Sequence, residues 1–332
     1  MSELLAPPMS LTSEKHIAII SASGIGNTIL FTPALIILRK IFPKAIIDLI
    51  VRKDVFGECV RGSGLVDAIH VIPEKPKALV RFIWDIHNHY DISITAFPSN
   101  KWQFNLFAFL LGAKIRITHS YAFGKKRTLS FLQNFKVPAD PTLHDVYQNI
   151  NLIRRFFNGT TEATPKLLFY LSAEDSSFAE QYLQQNNIGL DVFIIGVHAG
   201  AGPLGNRKKW GISNFACEIR NSLKSDRRNI VILFGGTEET QERKELSKEI
   251  KGNEVLIFNG SLRQSAALIS KCDYFISNDT GLMHVAACFG IKQKSIFIST
   301  NPIRTASFNN NATIQIEGDC MQYKYPFWST KE

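Results

Sequence analysis

Short apolar runs alternate with segments of helical periodicity along most of the chain. In the first part of the sequence this pattern predicts strands at 16–21, 45–51, 68–72, 91–96 and 114–118 and helices at 28–39, 78–87, 104–111 and 144–157. Pro33 fits the first of these helices only near its first turns, because proline has no backbone N–H to donate inside a helix. Such alternation is typical of a parallel sheet covered by helices.

A polar segment rich in turn-forming residues, Asn158–Pro165, interrupts the alternation and predicts a linker. Beyond it the pattern predicts strands at 193–197, 230–234, 255–258, 274–277 and 295–299 and helices at 213–223, 238–250, 262–271 and 281–289. We therefore predict an α/β protein of two Rossmann-like, doubly wound domains, residues 1–160 and 166–332. Doubly wound sheets bind ligands at the carboxyl ends of their strands, so we expect the site in a cleft between the domains.

The composition is that of an ordinary globular protein, with 45% hydrophobic and 20% charged residues among 332, and the net charge is +9. The surplus of basic residues is larger in residues 1–150 than in the rest of the chain. It suits phosphorylated small molecules, nucleic acid or an anionic membrane surface. Apart from Lys125, Lys126 and Arg127, no basic cluster with interleaved aromatic residues occurs, so we expect no nucleic-acid partner.

Neither a membrane-spanning segment nor a signal peptide is indicated, because no apolar run approaches about eighteen residues and Met1–Ser13 lacks a basic start and an apolar core. We therefore expect a cytoplasmic protein. The five cysteines are scattered and form no C-x-x-C pair, which indicates reduced core residues and no metal site.

A glycine loop, Ser21–Thr28, lies between the first predicted strand and helix, where Gly24 and Gly26 would let backbone N–H groups approach a ligand. The dinucleotide fingerprint is incomplete, since Ile29 stands at the third glycine position. A dinucleotide-dependent oxidoreductase is therefore disfavoured. A tight strand-to-helix turn that binds nothing explains this loop equally well.

The segment Ile276–His284 is the strongest local signal, because an apolar strand ends there in Asp279, Thr280 and Gly281 at the start of a helix. Asp279 or Thr280 can cap the helix, and the free N–H groups of its first turn favour a phosphate. His284 could donate to a phosphate oxygen. A capped helix with a core histidine is the alternative interpretation.

Two further strand ends support a phosphate site. The strand at 193–197 is followed by Gly200 and, after other small residues, by Arg207, Lys208 and Lys209, which offer positive charge to a diphosphate. Glu238 and Glu239 follow the strand at 230–234 and could bind ribose hydroxyls. Solvated basic residues and acids that stabilise a helix start are the alternatives.

These motifs together resemble glycosyltransferase family 9, the lipopolysaccharide heptosyltransferases, which have the two-domain GT-B fold. The resemblance covers most of residues 16–305, and the D-[ST]-G-x-x-H element is its most specific part. The matching motifs are the glycine loop, Thr32–Leu35, Leu38–Pro43, Ile47–Leu49, Lys208–Trp210 with Phe215, Gly235–Gly236, and Asn278–His284 with Ala286, Ala287 and Gly290.

The resemblance implies a role for each matched residue. It assigns the donor diphosphate to Lys208, Asp279, Thr280, Gly281 and His284, and the donor ribose to Glu238 or Glu239. Gly200 is a further donor-binding candidate, because small residues let a ligand approach the backbone. It places the acceptor beside the loop formed by Gly24, Gly26, Asn27 and Thr28. In similar heptosyltransferases an aspartate, taken to be the general base, follows the second glycine, whereas this chain has Asn27. An amide can orient a hydroxyl but does not accept its proton at neutral pH.

The resemblance implies an inverting, metal-independent glycosyltransferase with no resident cofactor. Asn27 and Lys208 would act in catalysis, a nucleotide sugar such as ADP-heptose would be the donor, and an anionic lipid-linked glycan would be the acceptor. Contact with the inner face of the cytoplasmic membrane is expected. A nucleotide-sugar epimerase of the same fold, or a catalytically degenerate sugar-nucleotide-binding protein, are the alternatives.

Overall fold

The computed structural model describes residues 15–121, 128–157, 165–202 and 205–317. These residues form two compact units, which meet in sequence between Tyr170 and Leu171. Of the predicted linker Asn158–Pro165, the structure describes Pro165 alone, and the triplet Lys125–Arg127 also lies outside the described residues.

The first unit is built on a parallel six-stranded sheet with the strand order β3-β2-β1-β4-β5-β6. Its strands are β1 (His16–Ser21), β2 (Ile46–Val51), β3 (Ala68–Val71), β4 (Ile92–Thr95), β5 (Ile115–Ser120) and β6 (Phe135–Pro138). Its helices are α1 (Ile25–Ile41), α2 (Pro76–Ile86), α3 (Trp102–Leu110) and α4 (Asp145–Phe157). The central strands β1 and β4 are buried over nearly all of their length, which explains their continuous apolar sequence.

The second unit repeats this topology in the strand order β12-β11-β10-β7-β8-β9, again with every pairing parallel. Its strands are β7 (Phe193–His198), β8 (Asn229–Leu233), β9 (Glu254–Ile257), β10 (Tyr274–Asn278), β11 (Lys292–Phe297) and β12 (Ala312–Ile316). Its helices are α5 (Ala173–Gln185), α6 (Ile212–Ser222), α7 (Thr240–Glu249), α8 (Leu262–Ile269), α9 (Gly281–Cys288) and α10 (Pro302–Thr305). The prediction of two doubly wound parallel sheets is confirmed.

Helix α1 differs from the prediction, because it begins at Ile25 and places Pro33 in its middle. Proline removes the N–H that would donate to the carbonyl of Ile29, four residues earlier. The Thr32 hydroxyl donates to that carbonyl instead, at 2.7 Å, and also accepts from the N–H of Leu168 at 2.9 Å. The neighbouring threonine therefore compensates for the proline, and the helix continues to Ile41.

The expectation that the cysteines are core residues is confirmed for Cys59 and Cys272, which are buried. It is wrong for Cys217, which is exposed on α6. Phe215, Ala216 and Ile219 are the buried residues of that helix, so position 217 belongs to its outer face.

Within the described residues, no helix is both long enough and apolar enough to cross a bilayer. Helix α2 nevertheless exposes two large apolar side chains four residues apart, Val80 and Trp84, which are 67% and 82% accessible. Lys77 and Arg81 are also exposed on this helix. The helix therefore presents an apolar strip with basic side chains beside it.

Candidate functional site

The candidate site lies at the switch point of the second sheet, where β7 and β10 are neighbours and the chain leaves them in opposite directions along the sheet. His198 and Asn278 end these two strands. The residues that follow, Ala199–Gly202 after β7 and Asp279 with Thr280 after β10, meet at the carboxyl edge. Sequence reasoning placed the phosphate motifs at these strand ends, and the structure brings them together.

The Asn278 side chain connects the end of β10 to the loop after β7 and to Trp210, which lies before α6. Its amide Nδ2 donates to the carbonyls of Ala199 and Gly200 at 2.8 and 3.0 Å, and its Oδ1 accepts from the N–H of Trp210 at 3.2 Å. The side chain is fully buried, so each of these bonds fixes a loop that would otherwise have an unsatisfied polar group. Sequence analysis noted Asn278 within the motif and gave it no separate role.

Lys208 and Asp279 form an ion pair at the edge of the site. The ammonium Nζ lies 2.7 Å from Asp279 Oδ2 and 3.3 Å from the Asp279 carbonyl oxygen. The aspartate side chain is 8% accessible and the lysine side chain 33%. An ammonium has three protons, so Lys208 keeps donor capacity on its exposed side while it neutralises the buried carboxylate.

Glu239 is buried and accepts hydrogen bonds on both carboxylate oxygens. Oε1 accepts from the N–H of Gly202 at 2.9 Å, and Oε2 accepts from the N–H of Gly236 at 3.1 Å and lies 2.9 Å from His198 Nε2. Burial would raise its pKa, but the interaction with His198 and the two N–H donors outweighs it and lowers the pKa to about 2. Glu239 is therefore ionised near neutral pH.

The glycines around Glu239 are required by this close approach. A Cβ atom on Gly200 would lie 1.9 Å from Glu239 Oε1, and one on Gly235 would lie 2.8 Å from Oε2. No side chain can replace either hydrogen atom without moving the carboxylate. Sequence analysis predicted that small residues here leave room for a ligand. In the structure, the space beside Gly200 is occupied by the Glu239 side chain.

His198 bridges Glu239 and Thr280. Its Nδ1 lies 2.9 Å from Thr280 Oγ1, while Nε2 faces the carboxylate of Glu239. Thr280 occupies the N-cap position of α9, but its hydroxyl contacts His198 and makes no capping bond to the helix. Sequence analysis gave His198 no role, because its two partners are 41 and 82 residues away.

The other predicted donor-site residues surround this core. Gly281 opens α9, and His284 lies one turn later and is buried. Glu238 is exposed beside Gly236, so its carboxylate is accessible to a ligand in a way that Glu239 is not. Next to Lys208, Lys209 instead reaches Glu242 at 2.5 Å and thereby lowers the pKa of that carboxyl.

The predicted acceptor loop lies at the switch point of the first sheet, between β1 and β4. Gly24 precedes α1, and Gly26 and Asn27 lie in its first turn. Thr28 is buried, with its hydroxyl 2.9 Å from Ser21 Oγ and 3.3 Å from the carbonyl of Gly24, so it holds the loop in shape. Asn27 is half-buried, and its amide has no hydrogen-bond partner among the described residues.

Asn149 on α4 fixes the neighbouring strand end. It accepts from the N–H of Phe97 at 2.9 Å and donates to the carbonyl of Asp145 at 3.0 Å and, more weakly, to that of Leu30 at 3.4 Å. The chain after β4 is thereby attached to α1. Sequence analysis did not identify Asn149, because an asparagine within a helix gives no sign of contacts with residues far away in the chain.

The described residues contain no group of three or more His, Cys, Asp or Glu side chains arranged to hold a metal ion. Lys208 and the backbone N–H groups that open α9 can donate to an anion at the candidate site.

Comparison with known proteins agrees with this architecture. Solved structures with the same fold include a family 9 glycosyl transferase from Veillonella parvula, with a TM-score of 0.76 at 19% identity over 91% of this chain and 86% of that one. They also include E. coli heptosyltransferase WaaC with ADP, with a TM-score of 0.68 at 18% identity over 93% and 96%. These identities are low, and the similarity establishes the GT-B fold alone.

Sequence comparison identifies the family. Lipopolysaccharide core heptosyltransferase OpsX of Haemophilus influenzae is 26% identical over 218 residues, which cover 61% of this chain and 57% of that protein. The chain spans about half the length of the curated relatives it matches. The sequence profile of glycosyltransferase family 9 (heptosyltransferase) matches residues 80–324, which is most of the chain. The chain therefore belongs to glycosyltransferase family 9.

Proposed function

We propose that the protein is an inverting glycosyltransferase that moves heptose from a nucleotide donor such as ADP-heptose to a lipid-linked glycan of the lipopolysaccharide core. The observation that carries the proposal is the cluster of Lys208, Asp279, Thr280 and Gly281 at the carboxyl edge of the second sheet. It combines a cation with the start of a helix, which is the chemistry that recognises a diphosphate.

The second unit would bind the donor. The first-turn N–H groups of α9 would hold phosphate oxygens, and Lys208 would contact them through the donor capacity that Asp279 leaves. His284 would approach the same group. Glu238 fits the ribose hydroxyls better than Glu239, because the Glu239 carboxylate is already bonded to Gly202, Gly236 and His198.

The reaction would be a single displacement at the anomeric carbon. The acceptor oxygen forms a bond to that carbon, the bond to the diphosphate oxygen breaks, and the acceptor proton passes to solvent water. Lys208 and the start of α9 would stabilise the charge that develops on the leaving diphosphate, which is an electrostatic role that needs no resident metal or cofactor.

The first unit would bind the acceptor beside Gly24, Gly26 and Asn27. The free amide of Asn27 can orient an acceptor hydroxyl, but it cannot take the proton. The basic surplus of residues 1–150 suits an anionic acceptor. The exposed Val80 and Trp84, with Lys77 and Arg81 nearby, support peripheral contact with the cytoplasmic face of the cytoplasmic membrane.

Asn27 favours a second candidate, a catalytically degenerate protein that binds sugar nucleotides without transferring the sugar.

The nucleotide-sugar epimerase is disfavoured, because the family match is to heptosyltransferases. An epimerase would interconvert sugar nucleotides in the absence of acceptor, whereas a transferase would leave them unchanged.

Calorimetric titration with ADP-, UDP-, GDP- and CMP-linked sugars tests the donor assignment. We expect binding of ADP-linked sugars, and at least a tenfold loss of affinity in folded His284→Ala. Absence of binding for all four nucleotides would overturn the proposal.

A further inference from the structure

Glu239, His198 and Thr280 form a chain of hydrogen bonds in which few arrangements of the protons are possible. Both ring nitrogens of His198 are within 2.9 Å of an oxygen, and the histidine and glutamate are 6% and 4% accessible. Glu239 is ionised, so it can only accept, and the ring must carry a proton on Nε2. The state of Nδ1 then decides what the Thr280 hydroxyl can do.

In the neutral ring Nδ1 has no proton and accepts a hydrogen bond from the Thr280 hydroxyl. The hydroxyl of Thr280 then has only lone pairs left for a ligand, which is unfavourable toward a phosphate oxygen. In the protonated ring Nδ1 donates to Thr280 Oγ1. The Thr280 hydroxyl keeps its proton but no longer donates it to His198. It can then donate a hydrogen bond to an anion bound at the start of α9.

We propose that His198 couples binding of the donor diphosphate to uptake of a proton, with the Thr280 hydroxyl as the group that changes from acceptor-only to donor. The inference rests on the proposed function, since it requires a diphosphate at the start of α9. His198 acts here as a positioning residue and contacts no part of the ligand. By linkage, protonation of His198 strengthens diphosphate binding, and diphosphate binding strengthens protonation of His198.

The other charged groups around this strand end have separate roles. Arg243, on α7 after β8, is bonded to the carbonyls of Gly236 and Phe258. Asp279 comes from the segment after β10 and is paired with Lys208. His284, from α9, is the other imidazole of the proposed site, and the test must separate it from His198.

The coupling can be measured by calorimetry with ADP-ribose, a diphosphate diester whose phosphates do not titrate near neutral pH. Titrations at pH 6 and pH 8, each in two buffers of different ionisation enthalpy, give both the affinity and the number of protons taken up. We expect net proton uptake and an affinity about five- to tenfold higher at pH 6 than at pH 8.

Four variants assign the effect. Thr280→Val keeps the shape of the side chain and should lose the proton uptake and most of the pH dependence, while Thr280→Ser should retain both. His284→Gln should weaken binding and keep the proton uptake, whereas His198→Gln should abolish it. Melting temperatures confirm that each variant is folded.

Equal proton uptake in Thr280→Val and the wild type, or no uptake in the wild type despite binding, would overturn the coupling and leave the donor site intact. No binding of ADP-ribose at either pH, together with no binding of the four sugar nucleotides, would overturn both the coupling and the proposed function.

Discussion

The two sheets share one strand order, yet the loops at their switch points differ in polar chemistry. In the second unit Lys208, Asp279, His198 and Glu239 are bonded to one another or to loop backbone, and most of them are buried. In the first unit the amide of Asn27 lies half-exposed without a partner among the described residues. One loop is organised before any ligand arrives, and the other leaves its polar group open.

This difference suits two kinds of ligand. A diphosphate is bound through charge, and charged donors are effective when neighbouring groups hold them in place before binding. A sugar hydroxyl is neutral and can be oriented by one unpaired amide. The same fold therefore provides a charged, fixed site in one unit and a neutral, open site in the other.

The largest expected effect is on the fixed site. In Lys208→Ala the buried Asp279 carboxylate loses its cation and would repel the diphosphate, so affinity for ADP should fall at least tenfold and turnover should fall further. Lys209→Ala is the matched control, because Lys209 is paired with Glu242 and should change either value less than threefold. Equal affinity of Lys208→Ala and the wild type in calorimetry would remove Lys208 from the site.

The second effect is on stability. Glu239→Gln removes the charge that two N–H groups and His198 stabilise, so unfolding in urea should require about 1–3 kcal/mol less free energy at pH 7. The glutamate pKa is lowered to about 2, so the wild-type advantage is complete above about pH 5 and declines as the pH falls toward 2. If the difference in unfolding free energy between wild type and Glu239→Gln grew on acidification, Glu239 would not be a stabilising ionised carboxylate.

The sequence predicted both sheets and most of their elements, because buried parallel strands are continuous apolar runs. It missed the edge strands β6 and β12, which are short and partly exposed. It also missed α5, whose sequence is mostly polar, although Ser172 and Asp175 form a capping box at its start.

The site was predictable to the level of its motifs. Gly281, Asp279 and Lys208 were identified because each follows a predicted strand. The partners of the buried side chains were not, since contacts such as His198 with Thr280 join residues far apart in the chain. Glu238 and Glu239 were indistinguishable in sequence, and only burial separates the exposed one from the one bound to backbone.

A smaller effect is expected at the exposed strip of α2 in the first unit. Trp84→Ser should reduce binding to vesicles that contain anionic phospholipid about three- to tenfold, because it removes the largest exposed aromatic side chain of that strip. Leu190→Ser is the control, since Leu190 is fully exposed in the second unit and does not belong to α2. Equal loss in both variants, measured by co-sedimentation, would argue against a contact through α2.

The smallest effect is expected at the open loop. Asn27→Asp should leave turnover unchanged or lower it slightly, because it replaces an amide donor with a charge and the account assigns no proton transfer to this position. Turnover is measured with matched donor and acceptor from pH 6 to pH 9. A gain within the roughly 10² to 10⁴ range of general-base catalysis, with a new carboxylate titration, would show that the native protein lacks a base and is degenerate.

The most direct test of the account is a transfer assay with ADP-heptose and a lipid-linked lipopolysaccharide-core acceptor, followed by mass spectrometry and nucleotide analysis. We predict that the acceptor gains one heptose with inverted anomeric configuration, that ADP is released in equal amount, and that neither product forms without acceptor. Conversion of ADP-heptose to another sugar nucleotide without acceptor, or tight binding of ADP-heptose with no transfer to any core acceptor, would contradict it.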